Sequence, residues 1–461
     1  AGFYDDALNF IGHATGYPTD SKNKPSGNQD LSTEVGFFAN ANYMYNNRYY
    51  ADFVYRLSGS SKFGSNQRYG QFWSGGLGWN LHNENFLKFE KLNLLKIRGS
   101  VGYTGKVNFE PFQSITMYKY ENTLEYLHGI GAIPQTIGND DLKWEREFSY
   151  NIGADISLFD RRLNATLDFY LKRTKDLVLD ASIAPSTGVV SGKQNIGEME
   201  NKGFEFSVDG FIIQRNDVWW QLGMNGSTNK NRILKISNAL KRQNELNNDV
   251  APTRQTPAPL AQYEEGESTS ALKVVRSAGI DPATGREVFI KLDGTRTFTY
   301  SADDKVVVGD TDPRFYGNVY TNVFYKGFSL YIMGSFKCGG YLYNVTRASR
   351  VEGTTGRTNV DRRAFDSRWK EVGDIALYRK ITEHSVPQQT DRFVEKENVL
   401  TITSVNLGYE FPQRICQKMM LRNLRLGVNL SDILRFSNVK VERGLDYLYG
   451  NGFEFTLSTT F

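Results

Sequence analysis

The chain has 461 residues, and its 55 basic and 51 acidic side chains leave a formal net charge of +4, spread along the sequence rather than gathered in a stripe; this argues against a nucleic-acid partner. Hydrophobic content is 39% with 13% aromatic, and 43 glycines stand against 12 prolines, a balance that suits strands and turns and points to one large β domain. No stretch approaches the roughly 20 apolar residues of a spanning helix, so any membrane role falls to strands.

Alternation with a period of two begins at residues 35–45, where Val35, Phe37, Ala39, Ala41, Tyr43 and Tyr45 share one side. Asn46 and Asn47 then give a hairpin signal. They lead into RYYADFVYRLSGSSKFG (48–64), with Tyr49, Ala51, Phe53, Tyr55 and Leu57 on one face and Tyr50, Asp52, Val54, Arg56 and Ser58 on the other. The same grammar returns in FSYNIGADISL, in LNATLDFYLK after the turn FDRR, and in segments through to the final FEFTLSTTF. Thirteen strands are predicted, near 33–45, 48–60, 68–81, 92–105, 142–158, 163–178, 203–214, 218–236, 315–325, 328–345, 398–411, 421–430 and 451–461.

The links between them alternate in length. NN, HNENFLKFEK, FDRR, QRND, YKG and PQRICQKMM are compact; the others run long near 106–141, 179–202, 237–314, 346–397 and 431–450, with 61–67 the short exception. Short turns at one end of an up-and-down meander and large loops at the other are the build of a transmembrane β-barrel. Several strands reach the roughly 9–11 residues that cross a bilayer at a tilt, with Tyr, Trp and Phe near their ends. Backbone groups cannot face lipid unpaired, so such a sheet must close. The apolar set that includes Tyr49 to Leu57 is then expected against lipid, and the face bearing Asp52, Arg56, Asp155, Asp168, Lys172, Glu205 and Asp209 against a wet lumen. Phe148, Ile152, Leu167 and Phe169 belong on the outside, and so do Phe453, Phe455, Leu457 and Phe461 of the last strand.

Long ordered stretches carry a resemblance. NRYYADFVYRLSGSSKFGSNQRYGQFWSGGLGWNLHNENFL, LNLLKIRGSVGYTG, NDDLKWEREFSYNIGADISLFDRRLNATLDFYLKRTKDLVL, NIGEMENKGFEFSV and GDTDPRFYGNVYTNVFYKGFSLYIMGSF closely resemble the C-terminal barrel region of the SusC/RagA-like TonB-dependent transporters of Bacteroidetes outer membranes, across essentially the whole chain. The resemblance implies a 22-stranded all-β barrel of which residues 1–461 would be the last thirteen strands, an open crescent if alone, with the plug domain and first strands absent from this chain. The opening AGFYDDALNF also lacks a signal-peptide pattern, so an export signal is expected to have been removed or to lie elsewhere. It further implies import of oligosaccharides or oligopeptides beneath a SusD-like surface lipoprotein, powered by a TonB complex acting on the missing plug.

No nucleophile–base pairing or metal-ligand spacing is present, so neither an enzyme nor a cofactor is expected. His13, His82, His128 and His384 are scattered, SADDKVVVGDTD (301–312) lacks the EF-hand spacing, and Cys338 and Cys416 are expected as free thiols. Aromatics on long loops offer flat faces and polar edges to a passing substrate, which nominates Tyr118, Tyr120, Tyr126, Trp369, Tyr447 and Tyr449; packing within the loops is the plain alternative for each. Among lumen charges, Asp52, Arg56, Asp155, Asp168 and Glu205 are the candidates for a substrate path, with ordinary wall solvation as their alternative. A rival from another class is a soluble or surface β-rich glycan-binding adhesin, in which the apolar faces of two sheets would meet. The loops 106–141, 237–314 and 346–397 exceed what a connection needs, and they are expected on the extracellular side, touching the lipoprotein, with Trp369 and Tyr126 among the buried contacts.

Overall fold

The structure, a computed structural model, describes residues 29–126, 129–183, 188–189, 191–250, 257–354, 360–440 and 450–460. Thirteen strands form one antiparallel sheet in strict chain order: β1 (Glu34–Tyr45), β2 (Tyr49–Ser60), β3 (Tyr69–Asn80), β4 (Leu92–Lys106), β5 (Glu145–Leu158), β6 (Leu163–Ser182), β7 (Ser191–Arg215), β8 (Val218–Lys235), β9 (Phe315–Tyr325), β10 (Phe328–Tyr343), β11 (Val394–Glu410), β12 (Asn423–Ser437) and β13 (Gly452–Thr460). Among the described residues β1 pairs only with β2 and β13 only with β12, so the sheet is open.

Register puts the apolar positions on one continuous face. Tyr55, Trp73, Tyr103 and Phe148 stand in one cross-strand row over β2–β5, and Ile97, Ala154, Leu167 and Phe206 in another over β4–β7. At the short-turn end, Tyr45, Tyr49 and Trp79 form a third row, continued on the far side of the sheet by Tyr325, Phe328 and Tyr409. On β9 the aromatic ends Phe315 and Tyr325 are ten residues apart. That is about 33 Å along the strand, or about 25 Å of membrane thickness at a barrel's tilt. Leu77 is 70% exposed, Ile152 64% and Phe169 52%, whereas the Asp168 carboxylate on the opposite face is only 17% exposed. A water-soluble sandwich has the reverse arrangement. An apolar face running over the whole sheet is far larger than the few hundred Å² that soluble monomers expose, and lipid is what covers it.

Turn chemistry fixes the short end. Asn46 and Asn47 both take the left-handed backbone that a tight hairpin demands, as do Phe159, Asp160 and Arg161 between β5 and β6, and Lys326–Gly327 between β9 and β10. β5 and β6 pair as the alternation predicts, Leu158 opposite Leu163 and Ile152 opposite Phe169.

Two elements differ from the sequence expectation. The long link predicted at 179–202 is mostly strand: β6 runs to Ser182 and β7 starts at Ser191, with Leu179 opposite Gln194 and Asp180 opposite Lys193. Beyond the bilayer both faces of a hairpin are wet, so the apolar alternation that marks a strand disappears while the ladder continues. Within the long links, strands Ala271–Ile280, Glu287–Ile290, Arg296–Thr297 and Lys305–Asp310 make a second sheet, and Met117–Tyr126 with Gly129–Thr136 a hairpin.

Candidate substrate path and surface loops

The polar face is organised around Arg98, a β4 residue that the sequence reading passed over. Its Nε donates to Asp155 on β5 at 3.2 Å, and its Nη2 to Asp168 on β6 at 2.7 Å. Gly153 makes this possible, because a Cβ there would sit 2.6 Å from the Asp168 carboxylate and 2.8 Å from the Arg98 guanidinium carbon. Asp168 also stands directly opposite Glu205 on β7, so Arg98 offsets a like-charge pair. The signal was available in sequence: Arg98 alternates with the outward Ile97, and pairing 92–105 with 142–158 brings it beside Asp155. Asp52 lies across Gly76 in the same manner, and Arg56 is exposed along Gly36. Asp209 receives the amide NH of Gln221 at 3.3 Å. The result is a wall of exchangeable hydrogen-bonding groups, suited to a polar solute.

At the long-loop end, the described parts of links 236–314 and 344–393 pack together. Leu272 and Val274 pack with Tyr343, Ala348 and Phe393. Beside them lies a buried charge network: the Arg392 Nε and Nη2 donate to the two Glu287 oxygens at 2.7 and 2.8 Å, Nη2 also reaches Glu352 at 2.8 Å, and Arg379 reaches Glu352 at 2.7 Å. Thr390 donates its hydroxyl to Glu287 at 2.8 Å. Burial alone would favour a neutral Arg392, but the Glu287 and Glu352 carboxylates outweigh it and hold the guanidinium proton more tightly than usual. Burial pushes the Tyr300 hydroxyl well above its ordinary range.

Trp369 belongs to this packed region. Its ring lies on Gly285, whose positive φ and close approach exclude a side chain, and its Nε1 donates to the Pro282 carbonyl at 2.9 Å. Tyr118 is exposed on the strand Met117–Tyr126, which also carries Tyr120 and Tyr126; Tyr447, Tyr449 and Phe461 lie outside the described residues. Of the nominated aromatics on described backbone, Tyr118, Tyr120 and Tyr126 belong to one link and Trp369 to another. Cys338 and Cys416 are free thiols. The acidic stretch 301–312 is turn and strand-end chemistry, with Asp304 accepting from the Leu292 amide and Asp310 from the Ser270 hydroxyl.

The family whose model is described as "TonB dependent receptor-like, beta-barrel" matches residues 2–429. The chain belongs to this family. It is therefore an outer-membrane protein that crosses the bilayer with strands, and no helix among the described residues is long and apolar enough to cross. TonB-dependent receptor P3 of Formosa agariphila is 28% identical over 439 residues, covering 90% of this chain and 42% of that protein. TonB-dependent receptor SusC of Bacteroides thetaiotaomicron is 35% identical over 214 residues, 45% of this chain and 21% of that protein. Among solved structures, the RagAB peptide transporter shares the fold at 24% identity with a TM-score of 0.77, covering 95% of this chain and 48% of that one. An open–open state of the RagAB peptide importer gives 25% and 0.73, covering 88% and 43%. The chain spans less than half the length of each of these relatives. They are named as receptors and transporters, not enzymes.

Proposed function

We propose that this chain is the C-terminal barrel wall and surface-loop portion of an active importer of oligosaccharides or oligopeptides, energised by a TonB complex and closed by a SusD-like lipoprotein. The observation that carries the reading is the segregation of one sheet into a lipid-facing apolar surface and a charged inner wall crowned by folded loops. The likeness to the RagAB peptide importer supports oligopeptides, and the resemblance of the sequence motifs to the SusC/RagA-like transporters supports both classes without choosing between them. A soluble adhesin needs two apolar faces in contact, and the main sheet offers no second apolar face to cover its own.

Uptake of labelled oligopeptide and oligosaccharide panels by a deletion strain, complemented with the full-length gene, tests the import step. Restored uptake of one class is expected; failure of every oligomer to enter in a strain that displays the protein at normal levels would sink it. The lid is tested separately. Shortening the turn at 291–295, which spares Glu287, should weaken lipoprotein co-purification with the barrel still assembled, and unchanged co-purification after single truncations of 106–141, 237–314 and 346–397 would place the docking surface elsewhere.

A further inference from the structure

Along the upper rim of the lipid-facing surface, most cations have a carboxylate. Arg146 and Lys143 pair with Asp176, Arg173 and Lys175 with Glu198, and Lys193 with Asp180. On the neighbouring strands the pattern breaks. Lys202 of β7 stands directly opposite Lys230 of β8, Arg232 follows one row higher, and Arg314 precedes β9; all four are exposed and none forms an ion pair with a described residue. Like charges directly opposite on a sheet destabilise it, and no carboxylate of the described residues lies within ion-pair distance of either lysine. They line a cleft of about 600 Å³ together with Glu200, Asp310 and Asp312. Of these, Asp310 is already engaged by the Ser270 hydroxyl and the Asp312 amide, and Glu200 bonds none of the four cations although Arg232 is its register partner.

Depth says what the cleft faces. Phe206 and Phe315 stack with ring centroids 6.0 Å apart, Phe315 lies 5.0 Å from Phe336, and Phe204 stacks on Phe206, making an aromatic belt on the lipid face. Lys202 is two residues above Phe204 on the same face, and the Glu200–Arg232 row two residues above that. At about 3.3 Å per residue these rows lie roughly 7 and 13 Å along the strand from the belt, which is headgroup depth. We propose that this cleft holds the phosphorylated headgroup of an outer-leaflet glycolipid, a phosphate bridging Lys202 and Lys230 with Arg232 and Arg314 around it, while the acyl chains run down over the phenylalanine belt. Continuity with the apolar wall selects a lipid over a soluble anion. The inference rests on the family's outer-membrane location and not on any choice of imported substrate.

The experiment is native mass spectrometry of the full-length protein in detergent with bis-phosphorylated lipid A, its phosphate-free counterpart, and inorganic phosphate as competitor. At about fivefold per lysine, Lys202→Gln with Lys230→Gln should weaken lipid A retention about thirtyfold. Phosphate-free lipid should bind comparably weakly to wild type, and millimolar inorganic phosphate should not displace lipid A. Wild-type retention by the double variant would overturn the site, and displacement by inorganic phosphate would assign it to a soluble anion instead. The double variant should also melt at or above the wild-type temperature in lipid-free detergent, because two repelling charges are gone; a lower melting temperature would contradict the argument from unpaired lysines.

Discussion

Replacing Arg392 by leucine removes the cation that joins the two large loop segments. Glu287 is 2% exposed and Glu352 is fully buried, so neither can be rescued by water. Removing one partner of a buried ion pair costs about 3–5 kcal/mol. Here Glu352 keeps Arg379 and Glu287 keeps the Thr390 hydroxyl, so the lower end, about 3 kcal/mol, is the reasoned value. That corresponds to roughly a hundredfold change in a local opening equilibrium. Reporter amides lie on both sides of the joint: Val275 donates to the Gln389 carbonyl at 3.0 Å, Asn344 to Phe393 at 2.8 Å, and Lys380 to Gly285 at 3.0 Å. Hydrogen exchange on the full-length protein in detergent should show these amides exchanging about two orders of magnitude faster in the variant, with the β5 and β6 ladders unchanged. The double change Glu287→Gln with Arg392→Leu should recover part of the loss, since it deletes the charge left stranded, by a coupling of about 0.5–3 kcal/mol. Wild-type exchange at Val275 and Lys380 in the single variant would refute the claim that this network holds the loops together.

Neighbouring substitutions on β6 should have opposite outcomes: Leu167→Lys puts a charge on the lipid face and should cost about 2–4 kcal/mol of barrel stability, whereas Thr166→Lys, facing the wet wall, should be tolerated in a urea titration of the folded protein. Gly153→Val drives a side chain into the Arg98–Asp168 bridge, so surface levels should hold while uptake of the imported oligomer changes; wild-type uptake would remove Arg98 from the path. Burial raises the Asp391 carboxyl above its ordinary value even though its Oδ1 accepts the Ser277 amide at 2.9 Å. A raised folded-state value means that ionisation opposes the loop fold: the stability is present below the unfolded-state value and lost as pH rises through the folded one. Asp391→Asn, which keeps the acceptor, should therefore slow exchange at Ser277 near neutral pH and make no difference in strong acid.

How far the sequence could be read follows from which solvent each segment meets. On β2, Tyr49 to Leu57 alternate because lipid excludes polar groups from one face and the lumen tolerates them on the other, so period, face and register are all written in the residues. The candidate lumen charges Asp155 and Asp168 fall on one face for the same reason, and their partner Arg98 was missed only because a single charge inside LNLLKIRGSVGYTG looks like an interruption until the strands are paired. At Leu179 and Gln194 the ladder continues in water, where neither face is constrained, and the strand signal is gone although the hydrogen bonds are not. In the loops the silence is deeper. Glu287 meets Arg392 across 105 residues and Glu352 meets it across 40, in segments with no period to align them, and a buried charge is indistinguishable in sequence from a solvated one. The bilayer thus makes the barrel legible by restricting it. Above the membrane, water lifts that restriction, which lets the loops pack through contacts that no period in the sequence announces.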